Sequence, residues 1–93
     1  MRGHYNRAIV DSEGNLILGC TIRLIDSTTG LNITDIVYAQ ATGSTTKTNP
    51  FVADDGVIDF YLDAQARLRM GITRPEPGSA EYYIEGVDVL APA

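Results

Sequence analysis

Tryptophan is absent from this chain, and cysteine and histidine occur once each, as Cys20 and His4. One thiol and one imidazole cannot assemble a zinc site. A lone thiol forms no internal disulfide either, so the core has to hold the fold, and assembly inside a cell fits better than secretion. No nucleophile-elbow sequence accompanies His4, which leaves a Ser-His-Asp arrangement without support. Cationic residues are few: 7 Lys and Arg stand against 12 Asp and Glu, for a formal charge of −5. Such a surface repels phosphate backbones, and no basic run offers counterion release, so nucleic acid is not an expected partner. Apolar runs are short as well. None approaches the ~20 residues that span a bilayer. Ala8-Ile9-Val10 is too brief for the core of an export signal before Asp11 ends it. An unexported chain with no membrane partner is expected.

Helical periodicity is missing too; alternation with period two takes its place. Cys20, Ile22 and Leu24 alternate with Thr21, Arg23 and Ile25. Ile58, Phe60 and Leu62 alternate with Val57, Asp59 and Tyr61, and Leu68, Met70 and Ile72 with Arg67, Arg69 and Gly71. Each set reads as a strand with one face on a core and one face outward. Shorter extended segments are expected at Ile9-Val10, Leu16-Ile17-Leu18, Ile36 to Ala39, Tyr82 to Ile84 and Val87 to Leu90. Turn chemistry separates them at 11–15, 26–30, 54–56 and 74–79. The polar run 40–49 reads as an exposed loop or weak edge strand. Asn49-Pro50 forces an extended or turn conformation, with Phe51 tucked into the core.

These signals recur about every 8–12 residues, which predicts an all-β fold: a small Greek-key β-sandwich of about seven to eight short antiparallel strands. The 93 residues make one domain with room for a single core and little to spare. A homo-oligomer or a larger body to dock on is an expected supplement. Residues 8–90 form the sandwich, 1–7 an N-terminal arm, and 91–93 a tail or the start of a linker.

Candidate chemistry is thin. Asp11, Glu13 and Asn15 have the odd-position spacing that opens a calcium loop, but Ile22 stands at the twelfth position where Glu is required. A turn explains them better. The same holds for Asp54 and Asp55, grouped with Asp59 and Asp63. Asn32-Ile33-Thr34 is a glycosylation sequon in form only. Cys20 shares the inward face of Ile22 and reads as a small inert hydrophobe. No catalytic residue, metal ligand or cofactor site is expected, and the chain does not read as an enzyme. Contact residues are sought in the polar-aromatic N-terminus, at Arg2, His4, Tyr5 and Arg7, and among the outward tyrosines, at Tyr61 and Tyr83.

Several segments, taken in order, carry a resemblance. They are Tyr5-Asn6-Arg7-Ala8-Ile9-Val10-Asp11 with Gly14-Asn15, Gly19-Cys20-Thr21-Ile22-Arg23-Leu24, Ile36-Val37-Tyr38-Ala39 and Thr48-Asn49-Pro50-Phe51. Asp54-Asp55-Gly56-Val57-Ile58-Asp59-Phe60-Tyr61-Leu62 and Arg67-Leu68-Arg69-Met70-Gly71-Ile72 complete the set. The chain resembles small transthyretin-like or carboxypeptidase-regulatory-like β-sandwich modules in virion proteins of tailed bacteriophages. Two departures stand out: Asp63-Ala64-Gln65-Ala66 replaces a glycine-rich approach to a late strand, and no collagen-like or receptor-binding region is present. The resemblance implies a non-enzymatic virion protein, assembled in the host cytoplasm and bound to the major capsid protein or another virion protein. A capsid decoration or head-fibre-anchoring role on the capsid exterior is expected first, a tail-fibre or baseplate component second. A carbohydrate-binding or adhesion module using the tyrosines is the expectation from another class.

Overall fold

The alternating segments fold as expected. In the computed structural model, which describes residues 2–63 and 66–89, eight strands and no helix are found. They are β1 (Gly3–Ala8), β2 (Cys20–Asp26), β3 (Val37–Tyr38), β4 (Thr46–Lys47), β5 (Phe51–Ala53), β6 (Val57–Leu62), β7 (Ala66–Thr73) and β8 (Tyr82–Val89). They form two four-stranded antiparallel sheets, ordered β1-β6-β3-β4 and β5-β2-β7-β8, which face each other as a β-sandwich. The expected tail at 91–93, the end of the last strand at Leu90 and the Ala64-Gln65 connection lie outside the described residues.

The core is the set of inward positions read from the alternation. Ile22, Leu24, Ile58, Phe60 and Met70 are fully buried, joined by Leu62, Leu68, Ile72, Val87 and Val89. The Phe51 and Phe60 ring centroids lie 6.1 Å apart, and Lys47 Nζ sits over the Phe51 ring at 4.8 Å from its centroid. Cys20 is wholly enclosed, and that burial pushes its thiol pKa up, as an inert core position requires. Ile25 is buried as well, although its alternation points outward; it lies opposite Arg69 and is bridged to Asn32 of the following loop.

Three expectations need correction. The arm expected at 1–7 is not free over its described part: Gly3–Ala8 is strand β1, paired with β6 from Gly3↔Leu62 to Ala8↔Val57. Gly3 is buried and Tyr5 half-buried, so the inward face of β1 contributes to the sandwich. Ile9-Val10 and Leu16 to Leu18 make only the single bridge Val10↔Leu16, closed by Asp11 N–H donating to the Asn15 carbonyl and Ile17 N–H to that of Ile9. The two expected C-terminal strands are one, β8. On it, Glu85 and Gly86 together oppose Arg69, because the register moves between Leu68↔Val87 and Met70↔Ile84. Gly86 takes φ +65°, the left-handed conformation of a glycine bulge. The extra residue resets the phase. Without it, Val87 and Val89 would fall on the outward face with Tyr83.

Asn49 shows how the short edge β5 is extended. The Asn49 Oδ1 accepts the Leu24 N–H at 2.9 Å, and its Nδ2 donates to the Leu24 carbonyl at 2.9 Å. Leu24↔Asn49 continues the register of Cys20↔Ala53 and Ile22↔Phe51, so a side-chain amide stands in for the next backbone pair. The Asn49-Pro50 peptide is cis. Removing this amide strands a donor and an acceptor beside a fully buried residue, at a cost of about 1–3 kcal/mol. Asn49→Ala is therefore expected to lower the urea midpoint by that equivalent. Asn49→Asp keeps the acceptor but sets a carboxylate oxygen against the Leu24 carbonyl, so it should lower the midpoint at least as much; a clearly smaller loss would show that the bond donated to Leu24 contributes little.

Candidate partner-binding face

The two outer sheet faces carry different chemistry. On the β1-β6-β3-β4 sheet, register sets His4, Asn6, Asp59, Tyr61, Tyr38 and Thr46 outward. His4↔Tyr61 and Tyr61↔Tyr38 form one row across three strands. The His4 imidazole stacks on the Tyr61 ring at 4.1 Å between centroids and 8° between planes, and its Nε2 pairs with Asp59 Oδ1. Arg2 crosses the end of the row, its guanidinium carbon 3.4 Å from the Tyr38 centroid. The same guanidinium donates to the Gln40 carbonyl at 3.0 Å and the Gly43 carbonyl at 2.6 Å, and pairs with Asp63 at 3.2 Å. These bonds tie the 38–43 segment to β1.

Three of the six contact residues read from the sequence therefore meet on one face: Arg2, His4 and Tyr61. Their roles differ. The Arg2 side chain is only 15% exposed and its donors are engaged inside the molecule, whereas His4 and Asp59 keep 40% of their side-chain surface. The solvent-accessible part of the face is the His4–Asp59 pair and Asn6, with Tyr61 half-buried beside them. Tyr5 is turned the other way, half-buried with its ring stacked 5.6 Å from Phe60. It therefore packs the core. Arg7 lies exposed at the mouth of a groove of about 190 Å³ between the β1 and β8 flanks, with Ile58, Ile72, Tyr82 and Ile84. Tyr83 stands on the outer face of the opposite sheet.

His4 and Asp59 make the imidazole–carboxylate pairing of a catalytic dyad. Among the described residues no hydroxyl or thiol is hydrogen-bonded to that imidazole, and general-base chemistry needs a nucleophile or a positioned water beside it. The acidic residues at the turns serve their own backbone. Asp11 Oδ1 accepts the N–H groups of Glu13 and Asn15, which holds its carboxyl below the usual range. Asp55 accepts from Val57, and Asp26 from Thr28 and Thr29. Asn32, the sequon residue, accepts from Arg23 at 3.0 Å.

Sequence reasoning did not find the ionic arrangement on the β5-β2-β7-β8 face. Arg23 grips Glu81 with two bonds, Nε to Oε2 at 2.9 Å and Nη2 to Oε1 at 2.7 Å. The Glu81 side chain lies flat over Gly71, where a Cβ would sit 2.7 Å from the carboxyl carbon. Arg69 faces Glu85 at 2.5 Å, as an ion pair without an aligned hydrogen bond, and lies 5.7 Å from the Tyr83 centroid. Arg67 reaches Asp88 at 3.5 Å. The Arg23 guanidinium holds the Glu81 carboxyl below the usual carboxylate range, while Glu81 raises both Arg23 and the Tyr83 hydroxyl. The charges of this face are paired among themselves, while Tyr83 and Val52 stay about half exposed on it.

A carboxyl whose pKa is lower in the folded state stabilises the fold above its unfolded value, ordinarily 4.5 for Glu81, and the contribution disappears as pH falls through the folded value. Stability is therefore expected to decline as pH is lowered below about 4.5. Glu81→Gln should make that acid limb shallower, measured as urea midpoints across the acid range. An unchanged slope would mean the Arg23–Glu81 bonds contribute nothing to the folded state. Gly71→Ala should act on the same bonds, so its cost, about 1 kcal/mol, is expected to shrink in the Glu81→Gln background.

Comparison with protein families, with characterised proteins and with solved structures finds no match for this chain, so its functional reading rests on the geometry above and the resemblance carried by its segments.

Proposed function

We propose that this protein is a non-enzymatic structural module of a bacteriophage virion, bound to the outside of the particle as a capsid decoration or head-fibre-anchoring protein. The virion setting rests on the resemblance of the chain's segments to virion modules, and the contact role is supported by the outer face of the β1-β6-β3-β4 sheet. There a row of rings, His4, Tyr61 and Tyr38, is stiffened by stacking and by Arg2. Rigid aromatic groups with polar edges are what protein contact surfaces favour, because little side-chain entropy is lost on binding. The expected partner is the major capsid protein or another virion protein, and a symmetric shell would add avidity to a modest single contact.

The same face serves equally in a tail-fibre or baseplate component, and position on the particle separates the two. A carbohydrate-binding role draws less support. Stacking on a sugar needs open ring faces, yet His4 covers one face of Tyr61 and Arg2 one face of Tyr38.

Because residues 3–8 are a strand, deleting the N-terminus would remove a sheet edge, and point substitutions give the sharper test. In a density map of the intact source particle, the protein is expected at regular capsid positions. Tyr61→Ala should reduce its occupancy about tenfold while the protein remains folded by circular dichroism. Density confined to the tail would transfer the protein to the second reading, and absence from the particle would remove the virion reading altogether.

A further inference from the structure

From the sheet edges we infer that this protein self-associates through β1, as a two-fold dimer in which β1 pairs antiparallel with β1 of a second copy. The four edges are unequal. β4 has two residues and β5 three, the latter preceded by Pro50. β8 is interrupted by its bulge at Gly86 and carries Glu85 and Asp88. Short, bulged or charged edges resist strand addition. β1 is six residues long, unbroken in register and free of proline.

The direction of its unpaired backbone follows from the ladder. Ile9 N–H donates to the Gly56 carbonyl at 2.8 Å, and Ile9·Gly56 continues the β1–β6 register. Bonded and non-bonded pairs alternate in an antiparallel ladder. Gly3, Tyr5 and Arg7 therefore turn their amides toward β6, while His4, Asn6 and Ala8 turn theirs to the open edge.

A second β1 satisfies these groups in one favourable register, centred on Asn6 opposite Asn6 of the other copy. His4 then stands opposite Ala8, and every outward N–H and C=O of the three residues meets a partner. On the inward side, Arg7 of one copy stands opposite Tyr5 of the other. Among the described residues Arg7 makes neither an ion pair nor a cation–π contact. An inward charge on an edge strand ordinarily deters pairing, because the new neighbour buries it. Here the neighbour is a tyrosine ring, which favours a guanidinium. Moving the register by one bonded pair one way sets Arg7 against Arg7, and the other way separates Arg7 from Tyr5. The Tyr5–Arg7 contacts also lie beside the groove holding Ile72, Tyr82 and Ile84, so pairing covers apolar surface that one copy leaves open. The contact is small beside the ~1,600 Å² of a standard interface, so a weak dimer forms.

Sedimentation velocity on the whole chain, from about 10 μM to 1 mM, is expected to show monomer giving way to dimer over this range. Asn6→Pro removes an N–H that β6 does not use, so the strand should persist while dimerisation is lost. A nitroxide on Asn6→Cys should show strong dipolar broadening, since bonded pairs lie about 5.5 Å apart at Cα; Cys20 is fully buried and stays unlabelled. If Asn6→Pro does not fold, Arg7→Glu tests the same register and should weaken the dimer about fivefold. Monomer throughout, a dimer without broadening at position 6, or a dimer indifferent to these substitutions would each overturn the proposal.

Discussion

Two sheets share one core only while every strand keeps its apolar side chains in inward phase, because a slip of one residue turns the whole set to solvent. β2, β6 and β7 meet that requirement by plain alternation. β8 meets it with a defect: the extra residue at Gly86 lets Ile84 and then Val87 and Val89 point inward on one strand. β5 is too short to cover the edge of β2, and the Asn49 amide completes the ladder beside Leu24. Gly56 belongs to the same constraint. With φ +77° it closes the turn into β6, and a Cβ there would lie 3.1 Å from the Cβ of Leu16.

Charge is arranged around this layer with little redundancy. Of the 7 cationic side chains, Arg2, Arg23, Arg67, Arg69 and Arg74 each face a carboxylate, and Lys47 lies over Phe51. Exposed pairs of this kind stabilise a fold only slightly. Their larger consequence is geometric. They hold outer-face side chains in fixed positions, and among the described cationic side chains Arg7 at the flank is the one left without such a partner.

Strands with one clean apolar face were legible in the sequence because alternation reports burial directly; β2, β6 and β7 lie where they were read. β1 was not legible. An edge strand packs only one side of a short ladder, and in Gly3-His4-Tyr5-Asn6-Arg7-Ala8 the inward positions are a glycine, a half-buried tyrosine and an arginine, which give no apolar period. The phase change between Ile84 and Val87 did leave a signal, and Gly86 between them marks the bulge; without register information it reads equally well as a turn. Arg23–Glu81 spans 58 residues of sequence and has no local pattern at all. The site was legible in part for a similar reason. Outward placement of Tyr61 follows from its strand, but the stacking of His4 on it depends on β1 being a strand.

β1 thus joins the proposed attachment face to the proposed dimer edge, and the two uses are physically separable. Side chains of His4 and Asn6 stand on the outer face, whereas the backbone amides of the same residues lie in the plane of the sheet and point away from β6. Pairing through the amides leaves the outer side chains where they are and sets two His4–Tyr61 patches on one continuous eight-stranded surface. A single patch offers a small contact; two held rigidly side by side bind a repetitive surface with a raised effective concentration, provided the spacing of the surface matches. If both proposals hold, weak edge pairing and weak face binding would reinforce each other on a repetitive surface and stay silent in dilute solution, and the array, rather than the isolated chain, would be the state in which the outer face acts.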